Sequence, residues 1–171
     1  MSLIDQSLID KMIRAAKLDV QLYEEVEKDP NATKQALIIV ILGGICSGIG
    51  SIGVLGAKGI ISGLITGIIG WFLWSLVIFL IGVKIFKHTS DLGELLRCLG
   101  FAFSPNVLSI LGIIPIIGSL IRLILFVWIL ATFVVAVRQA LDTDTGKAVL
   151  ISVLGFLVFL AFSFLLLPIV T

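Results

Sequence analysis

The chain has 171 residues, of which 59% are apolar and only 13% are charged, and its formal net charge is +1. Soluble proteins carry about 25% charged residues, so this composition excludes an ordinary soluble enzyme. The apolar content excludes a disordered tail, and the near-neutral charge argues against nucleic acid as a partner. The class that remains is a small all-α membrane protein with several spans.

Residues 1–34 form a charged, amphipathic segment ahead of the apolar part of the chain. Apolar residues recur every three or four positions from Ile4 to Tyr23, which predicts one amphipathic helix. The segment lacks the apolar core of a cleavable signal peptide. Its seven acids against five bases disfavour simple attraction to anionic lipid, so we expect it to dock on protein at the cytoplasmic mouth of the bundle. Asp29 and Pro30 predict the N-cap and first residue of the next helix.

Residues 35–171 are predicted to form the membrane domain, because a helix of about 20 apolar residues crosses about 30 Å of hydrocarbon. The apolar run at 99–137 is too long for a single crossing and has the right length for two helices joined as a hairpin. Its turn is expected near Pro115 and Gly118, where proline removes a backbone donor and glycine relaxes the backbone. The five predicted spans are 35–56, 60–86, 99–114, 119–138 and 147–170.

Two features shape the third predicted span. Asp91 and Glu94 stand at the spacing of a capping box and predict a short amphipathic helix along the inner surface of the membrane. Further on, Pro105 frees the carbonyl four residues back and predicts a kink. Ser104 and Asn106 are expected to satisfy the opened backbone.

The distribution of basic residues gives the orientation. Ten of the twelve Lys and Arg side chains, together with every acid, lie on one side of the predicted membrane, and only Lys58 and Arg122 lie on the other. The positive-inside rule places the side with ten bases in the cytoplasm. We therefore predict a cytoplasmic N-terminus and, after five crossings, a C-terminus outside.

Glycine is unusually frequent in the first two spans. Ten of the seventeen glycines lie between residues 43 and 70. Because lipid gives helices no hydrophobic reason to associate, close backbone approach over small residues supplies the contact. The two spans are expected to pack tightly through these faces, against each other or against a neighbouring subunit. The predicted packing residues are Gly44, Gly48, Gly59, Gly63 and Gly67.

The sequence offers little that could carry chemistry. The spans hold no Asp, Glu or His, so neither a proton relay nor a metal site is expected. Gly48 to Gly53 match a dinucleotide-binding pattern, but they lie inside an apolar span without the strand that this motif requires. We expect no catalysis and no cofactor. Arg122 is the one charge in the long apolar run; it is expected to snorkel to the outer interface, where it is a candidate contact for a lipid headgroup.

Several stretches together are similar to the Yip domain family of Rab- and Ypt-interacting membrane proteins, closest to its short prokaryotic branch. They are LLRCLGFAFSPN at 95–106, the hairpin 112–118, Trp128 with VRQALD at 137–142, and MIRAA with LYEE in the N-terminal segment. The resemblance implies five spans and a cytoplasmic N-terminus. Eukaryotic members act in vesicle traffic and bind prenylated GTPases. This chain lacks their long cytosolic tail and its DLYGP-type motif, which argues against a small GTPase as partner.

Two functional hypotheses follow. The preferred one is a non-catalytic membrane scaffold or accessory subunit that acts through helix packing, partner binding and shaping of the bilayer. Its expected partners are membrane lipids and other membrane protein subunits or a second copy of itself. The alternative is a transporter or channel for a small neutral or lipid-like solute, lined by Ser47, Ser62, Thr66 and Ser104. The expected location is the cytoplasmic membrane of a prokaryote, or the endoplasmic reticulum and Golgi of a eukaryote.

Overall fold

The computed structural model describes the backbone of residues 6–114 and 117–170, and the side chains of 7–114 and 117–158. Every regular element in these ranges is helical, which confirms the predicted all-α class. A π-helical turn, Leu80–Ile85, follows α5, and a 3-10 segment, Ser104–Ile113, follows α6. The α-helices are α1 Gln6–Ala16, α2 Val20–Lys28, α3 Ala32–Gly50, α4 Ile52–Leu55, α5 Lys58–Phe79, α6 Leu92–Ala102, α7 Ile117–Ala140 and α8 Thr145–Val170.

Four helical stretches in the described ranges are long and apolar enough to cross a membrane: 32–50, 58–85, 92–113 and 117–140. α8 adds a shorter apolar stretch, Thr145–Val158, within a helix that continues to Val170. The fifth crossing therefore stays a prediction. Neighbouring spans α3 and α5 run antiparallel, since Gly48 of α3 faces Gly59 and Ile60 at the start of α5.

The third span begins seven residues earlier than predicted, at Leu92 rather than residue 99. Its capping box is present as predicted: the Asp91 carboxylate accepts from the Glu94 amide, and the Glu94 carboxylate accepts from the Asp91 amide. The predicted short helix is α6, whose place along the membrane surface stays a prediction. It continues almost directly into the 3-10 segment, and its Leu95, Leu99 and Phe101 side chains are buried in the bundle.

The N-terminal segment is two helices and not the single one predicted. Leu18 adopts a left-handed backbone with φ of 64°, and the Asp19 side chain caps α2 by accepting from the Gln21 amide at 3.0 Å. Arg14 Nε lies 2.7 Å from Asp19 Oδ2, and the same guanidinium donates to both Glu25 oxygens at 3.0 Å. These hydrogen bonds hold the pKa of both carboxyls below their usual range and fix α2 against α1.

α3 also starts later than predicted, at Ala32 with Asn31 as its N-cap. Asp29 has an extended backbone with ψ of 104° and ends α2 instead of starting α3. A residue that precedes proline is pushed out of the helical region by the proline ring, which explains the delay at Pro30. The Asp29 carboxylate accepts from the Asn31 amide at 2.9 Å and stabilises the turn between the two helices.

The buried core lies mainly at one end of the bundle, which we call the charged end. α2 and the loops 86–91 and 142–144 meet there: His88 lies 3.4 Å from Thr143, and Gln139 of α7 donates to Glu24 of α2 at 3.2 Å. Apolar side chains of the N-terminal helices and of the spans form a single cluster beneath these groups. Its members include Leu8, Leu22, Tyr23, Val26, Ile39, Leu95, Leu99, Phe101, Val137 and Ile151. The N-terminal helices are thus packed into the membrane bundle.

Candidate functional site

The glycines of α3 and α5 face one another within the chain. A Cβ atom added at Gly48 would lie 2.5 Å from the Ile60 Cα, and one added at Gly63 would lie 2.7 Å from the Gly48 nitrogen. At Gly44 the nearest Cα, that of Leu64, would be 3.1 Å away. These distances are too short for any side chain, so the two backbones are in direct van der Waals contact.

The two remaining glycines of the set are placed at the ends of the same contact. A Cβ at Gly59 would lie 2.8 Å from Ser51 Oγ, and one at Gly67 would lie 3.3 Å from the Gly44 Cα. The glycine faces of α3 and α5 therefore contact each other. A neighbouring subunit would have to bind a different surface of the protein.

At Pro105, the position of the predicted kink, the third span changes from α-helix to 3-10 helix. The carbonyl of Phe101, which proline leaves without its helical donor, accepts from Ser104 Oγ at 2.6 Å, as expected. Beyond this point the helix tightens to 3-10 geometry. The expectation for Asn106 was wrong: its Nδ2 donates to the Gly43 carbonyl at 3.0 Å, because α3 packs closely against the 3-10 segment. Asn106 thus joins the third span to the first.

Several polar contacts between helices were not foreseen from the sequence. Thr132 Oγ1 donates to the Ala102 carbonyl at 2.7 Å, next to the kink. Trp71 Nε1 donates to the Leu96 carbonyl at 2.9 Å, and Trp128 Nε1 donates to the Ala16 carbonyl at 2.8 Å. A polar atom in an apolar span is the only sequence signal for such contacts, since its partner lies 25 or more residues away.

Two glycines are in contact where the hairpin between the third and fourth spans turns. A Cβ at Gly118 would lie 3.0 Å from the Gly112 carbonyl carbon, so the two arms touch. Pro115, the other residue predicted to make this turn, lies outside the described residues. Arg122 follows in the second turn of α7 and donates from Nη1 to the Gly112 carbonyl at 3.3 Å.

Three adjoining cavities lie among α3, α5, the 3-10 segment, α7 and α8. The polar cavity, about 360 Å³, is lined by Ser47, Ser51, Ser62, Thr66 and Asn106 together with glycines and Phe103. The arginine cavity, about 220 Å³, shares Ser47, Ser51 and Asn106 and adds Ser109 and Arg122. The aromatic cavity, about 240 Å³, is lined mainly by Trp71, Trp74, Phe103, Phe126, Phe133 and Phe156.

Ser104 lies apart from these cavities. It borders an apolar groove between α1 and the third span, together with Pro105 and Trp128. Of the four residues expected to line a solute path, Ser47, Ser62 and Thr66 meet in the polar cavity. The Thr66 hydroxyl donates to the Ser62 carbonyl of its own helix.

Arg97 joins α6 to the N-terminal helices at the charged end. Its Nε donates to the Val26 carbonyl at 3.1 Å and to the Glu27 carbonyl at 3.0 Å. These are carbonyls of the last turn of α2, where unpaired acceptors and the helix dipole favour a cation. Arg97 therefore acts as a C-terminal cap from another helix.

The raised pKa of Glu27 makes the stability of the fold depend on pH. Partial burial raises its pKa from 4.5 to about 7, and the carboxylates of Asp142 and Glu94 add to the increase. Between these pH values the folded chain keeps a proton that the unfolded chain has lost, so stability falls as pH rises. We expect the melting temperature in detergent to drop between about pH 5 and about pH 8, and to drop less in Glu27→Gln.

The matched control for this measurement is Asp10→Asn, which removes an exposed carboxylate from α1. It should show the same decrease in melting temperature with pH as the unaltered chain. An equal decrease in Glu27→Gln would assign the pH dependence to another group.

No group of three His, Cys, Asp or Glu side chains in the described ranges is arranged to hold a metal ion. Among known proteins, a family model described as Yip1 domain matches residues 20–167, from α2 to near the end of α8. Searches of curated proteins and of solved structures found no match. The matched region covers most of the chain, and it contains the apolar helices together with the capping box and the kink. The chain therefore belongs to the Yip1 domain family and is an integral membrane protein.

Proposed function

We propose that this protein is a non-catalytic membrane scaffold or accessory subunit that presents its α1–α2 layer to another protein at the cytoplasmic surface. The observation that supports this proposal is the set of contacts that fix α1 and α2 against the spans. Both bury apolar side chains in the bundle core, and Arg97 caps α2 from α6. A layer held in this way keeps one orientation relative to the spans.

The outer face of α2 supplies the surface for a partner. Gln21, Glu24, Glu25 and Lys28 are exposed, while Leu22, Tyr23 and Val26 point into the core. The Arg14 ion pairs fix one edge of this face. A charged, well-ordered surface suits a polar and specific contact rather than simple adhesion to the membrane.

The use of the polar side chains supports a structural role. Asp91 and Glu94 cap α6, Ser104 satisfies the kink, and Asn106 and Thr132 join helices. Each of these groups stabilises the backbone of the bundle. Tight glycine packing between α3 and α5 gives the layer a rigid support.

We also propose an orientation in the membrane and a class of partner. The charged end carries ten of the twelve basic residues and is placed in the cytoplasm. The partner is a membrane protein subunit or a second copy of this chain. A small GTPase is not proposed, because the motif that the family's GTPase-binding members carry is missing from residues 1–34.

Photo-crosslinking in native membranes tests the scaffold role. A photoreactive residue at Gln21, exposed on α2, should give a discrete adduct with one protein partner or a dimer. The matched control is Val54, which is 79% exposed at the opposite end and should give only lipid adducts. Lipid adducts alone at Gln21, or the same protein adduct at both positions, would contradict the proposal.

A further inference from the structure

The three cavities adjoin one another between the helices and share part of their walls. The polar and arginine cavities share Ser47, Ser51 and Asn106. The arginine and aromatic cavities share Phe126 and Ile129 along α7. A single elongated molecule can therefore contact the walls of all three.

The chemistry of the walls changes from one cavity to the next. At one end stand the Arg122 guanidinium and the hydroxyl-bearing side chains of Ser47, Ser51 and Ser109. At the other end, aromatic rings form an almost wholly apolar chamber, with Trp74 packed 5.5 Å from Phe133 and 5.8 Å from Phe156 between ring centroids. Such walls match an amphiphile with an anionic polar group and a hydrocarbon chain.

Arg122 is suited to the polar part of such a ligand. A guanidinium carries five N–H donors in a fork that fits the oxygens of a phosphate group. In the described part of the chain, the Gly112 carbonyl takes one of these donors at 3.3 Å. The remaining donors can face the arginine cavity that the side chain lines.

The dimensions fit one leaflet of a bilayer. Arg122 and Phe133 are eleven residues apart on α7, which corresponds to about 16 Å along a helix. Half of the hydrocarbon thickness is about 15 Å. Arg122 lies near the start of α7, at the end of the bundle opposite the charged end, where a phosphate would stand at the membrane surface.

We propose that these cavities hold one anionic phospholipid from the leaflet opposite the charged end, with its phosphate at Arg122 and an acyl chain in the aromatic cavity. The site does not depend on the scaffold role. It gives Arg122 a specific partner, and it fills the space between the glycine-packed pair α3–α5 and the hairpin arm α7.

Tryptophan fluorescence tests the proposal directly, because Trp71 and Trp74 line the aromatic cavity. The full chain is placed in phosphatidylcholine vesicles that contain a small fraction of lipid with brominated chains, which quench tryptophan on contact. Brominated phosphatidylglycerol should quench several-fold more than brominated phosphatidylcholine at the same fraction. The excess should disappear in Trp71→Phe/Trp74→Phe, which keeps Trp128 as its remaining emitter.

Substitutions of Arg122 and Lys58, the two basic residues at the end opposite the charged end, complete the test. Arg122→Gln should make the two brominated lipids quench equally, whereas Arg122→Lys should keep part of the excess. Lys58→Gln is the matched control, because Lys58 starts α5 at the same end and lines none of the three cavities. Equal quenching in the unaltered chain, or an excess that survives in Arg122→Gln, would overturn the proposal. Loss of the excess on adding inorganic phosphate would also overturn it, in favour of a free anion.

Discussion

Gly48→Ala should destabilise the bundle, although alanine normally stabilises a helix relative to glycine. The added methyl group would lie 2.5 Å from the Ile60 Cα and 2.6 Å from the Gly59 oxygen, so α3 and α5 must move apart. Overpacking of this kind costs about 1–3 kcal/mol, and more where backbone faces backbone. Thermal unfolding in detergent, followed by circular dichroism, measures the loss.

Gly70→Ala is the matched control for this substitution. Gly70 lies in the same helix pair on α5, but a Cβ there meets nothing within 4 Å. Alanine at this position should leave stability unchanged or raise it by up to about 1 kcal/mol. A Gly48→Ala protein as stable as Gly70→Ala would show that the α3–α5 contact is not close-packed.

Arg97→Met should release the N-terminal layer while leaving the spans folded. The substitution keeps an apolar stem of similar length but removes the donors to the Val26 and Glu27 carbonyls. Hydrogen bonds from a charged group contribute about 1.5–3 kcal/mol. Because about 1.4 kcal/mol corresponds to a factor of ten, amides of α2 should exchange with deuterium at least about tenfold faster.

Lys34→Met is the control for the lost positive charge. Lys34 is exposed near the start of α3, and its replacement should leave exchange in α2 unchanged. Mass spectrometry of peptides from α2 and from α6 shows whether the faster exchange is confined to the N-terminal layer or extends into the spans. Unchanged exchange in α2 of Arg97→Met would mean that the buried Leu22, Tyr23 and Val26 hold the layer without the cap.

Local signals in the sequence predicted the local parts of this structure well. The capping box at Asp91 and Glu94 has both of its hydrogen bonds, and Ser104 satisfies the carbonyl that Pro105 frees, because each partner lies within a few residues. The repeated glycines predicted close helix packing for a similar reason: the pattern along one helix is visible in its own sequence.

The contacts that position the helices could not be predicted in this way. Asn106 reaches Gly43 across 63 residues, and Arg97 reaches Glu27 across 70. Which carbonyl lies nearest to such a side chain depends on how the helices pack, which no short motif encodes. The break at Leu18 was missed because the apolar periodicity continues through it, and only Asp19 with its capping side chain marks the start of α2.

The late start of α3 shows a competition between two local rules. Pro30 favours the first turn of a helix but pushes Asp29 out of the helical region, so the helix begins after both. At α6 the local rules agree, and the capping box sets the start of the helix as predicted.

Labelling of single cysteines with a membrane-impermeant maleimide tests the central claim, that the chain crosses the membrane five times with its charged end inside. With Cys46 and Cys98 replaced by alanine, one cysteine is placed at Val54, Thr89 or Thr145, or added after Thr171. In intact cells the cysteines at 54 and after 171 should react, and those at 89 and 145 should react only after permeabilisation. A C-terminal cysteine that stays unreactive until the cells are opened, or equal labelling at 54 and 89, would contradict the account.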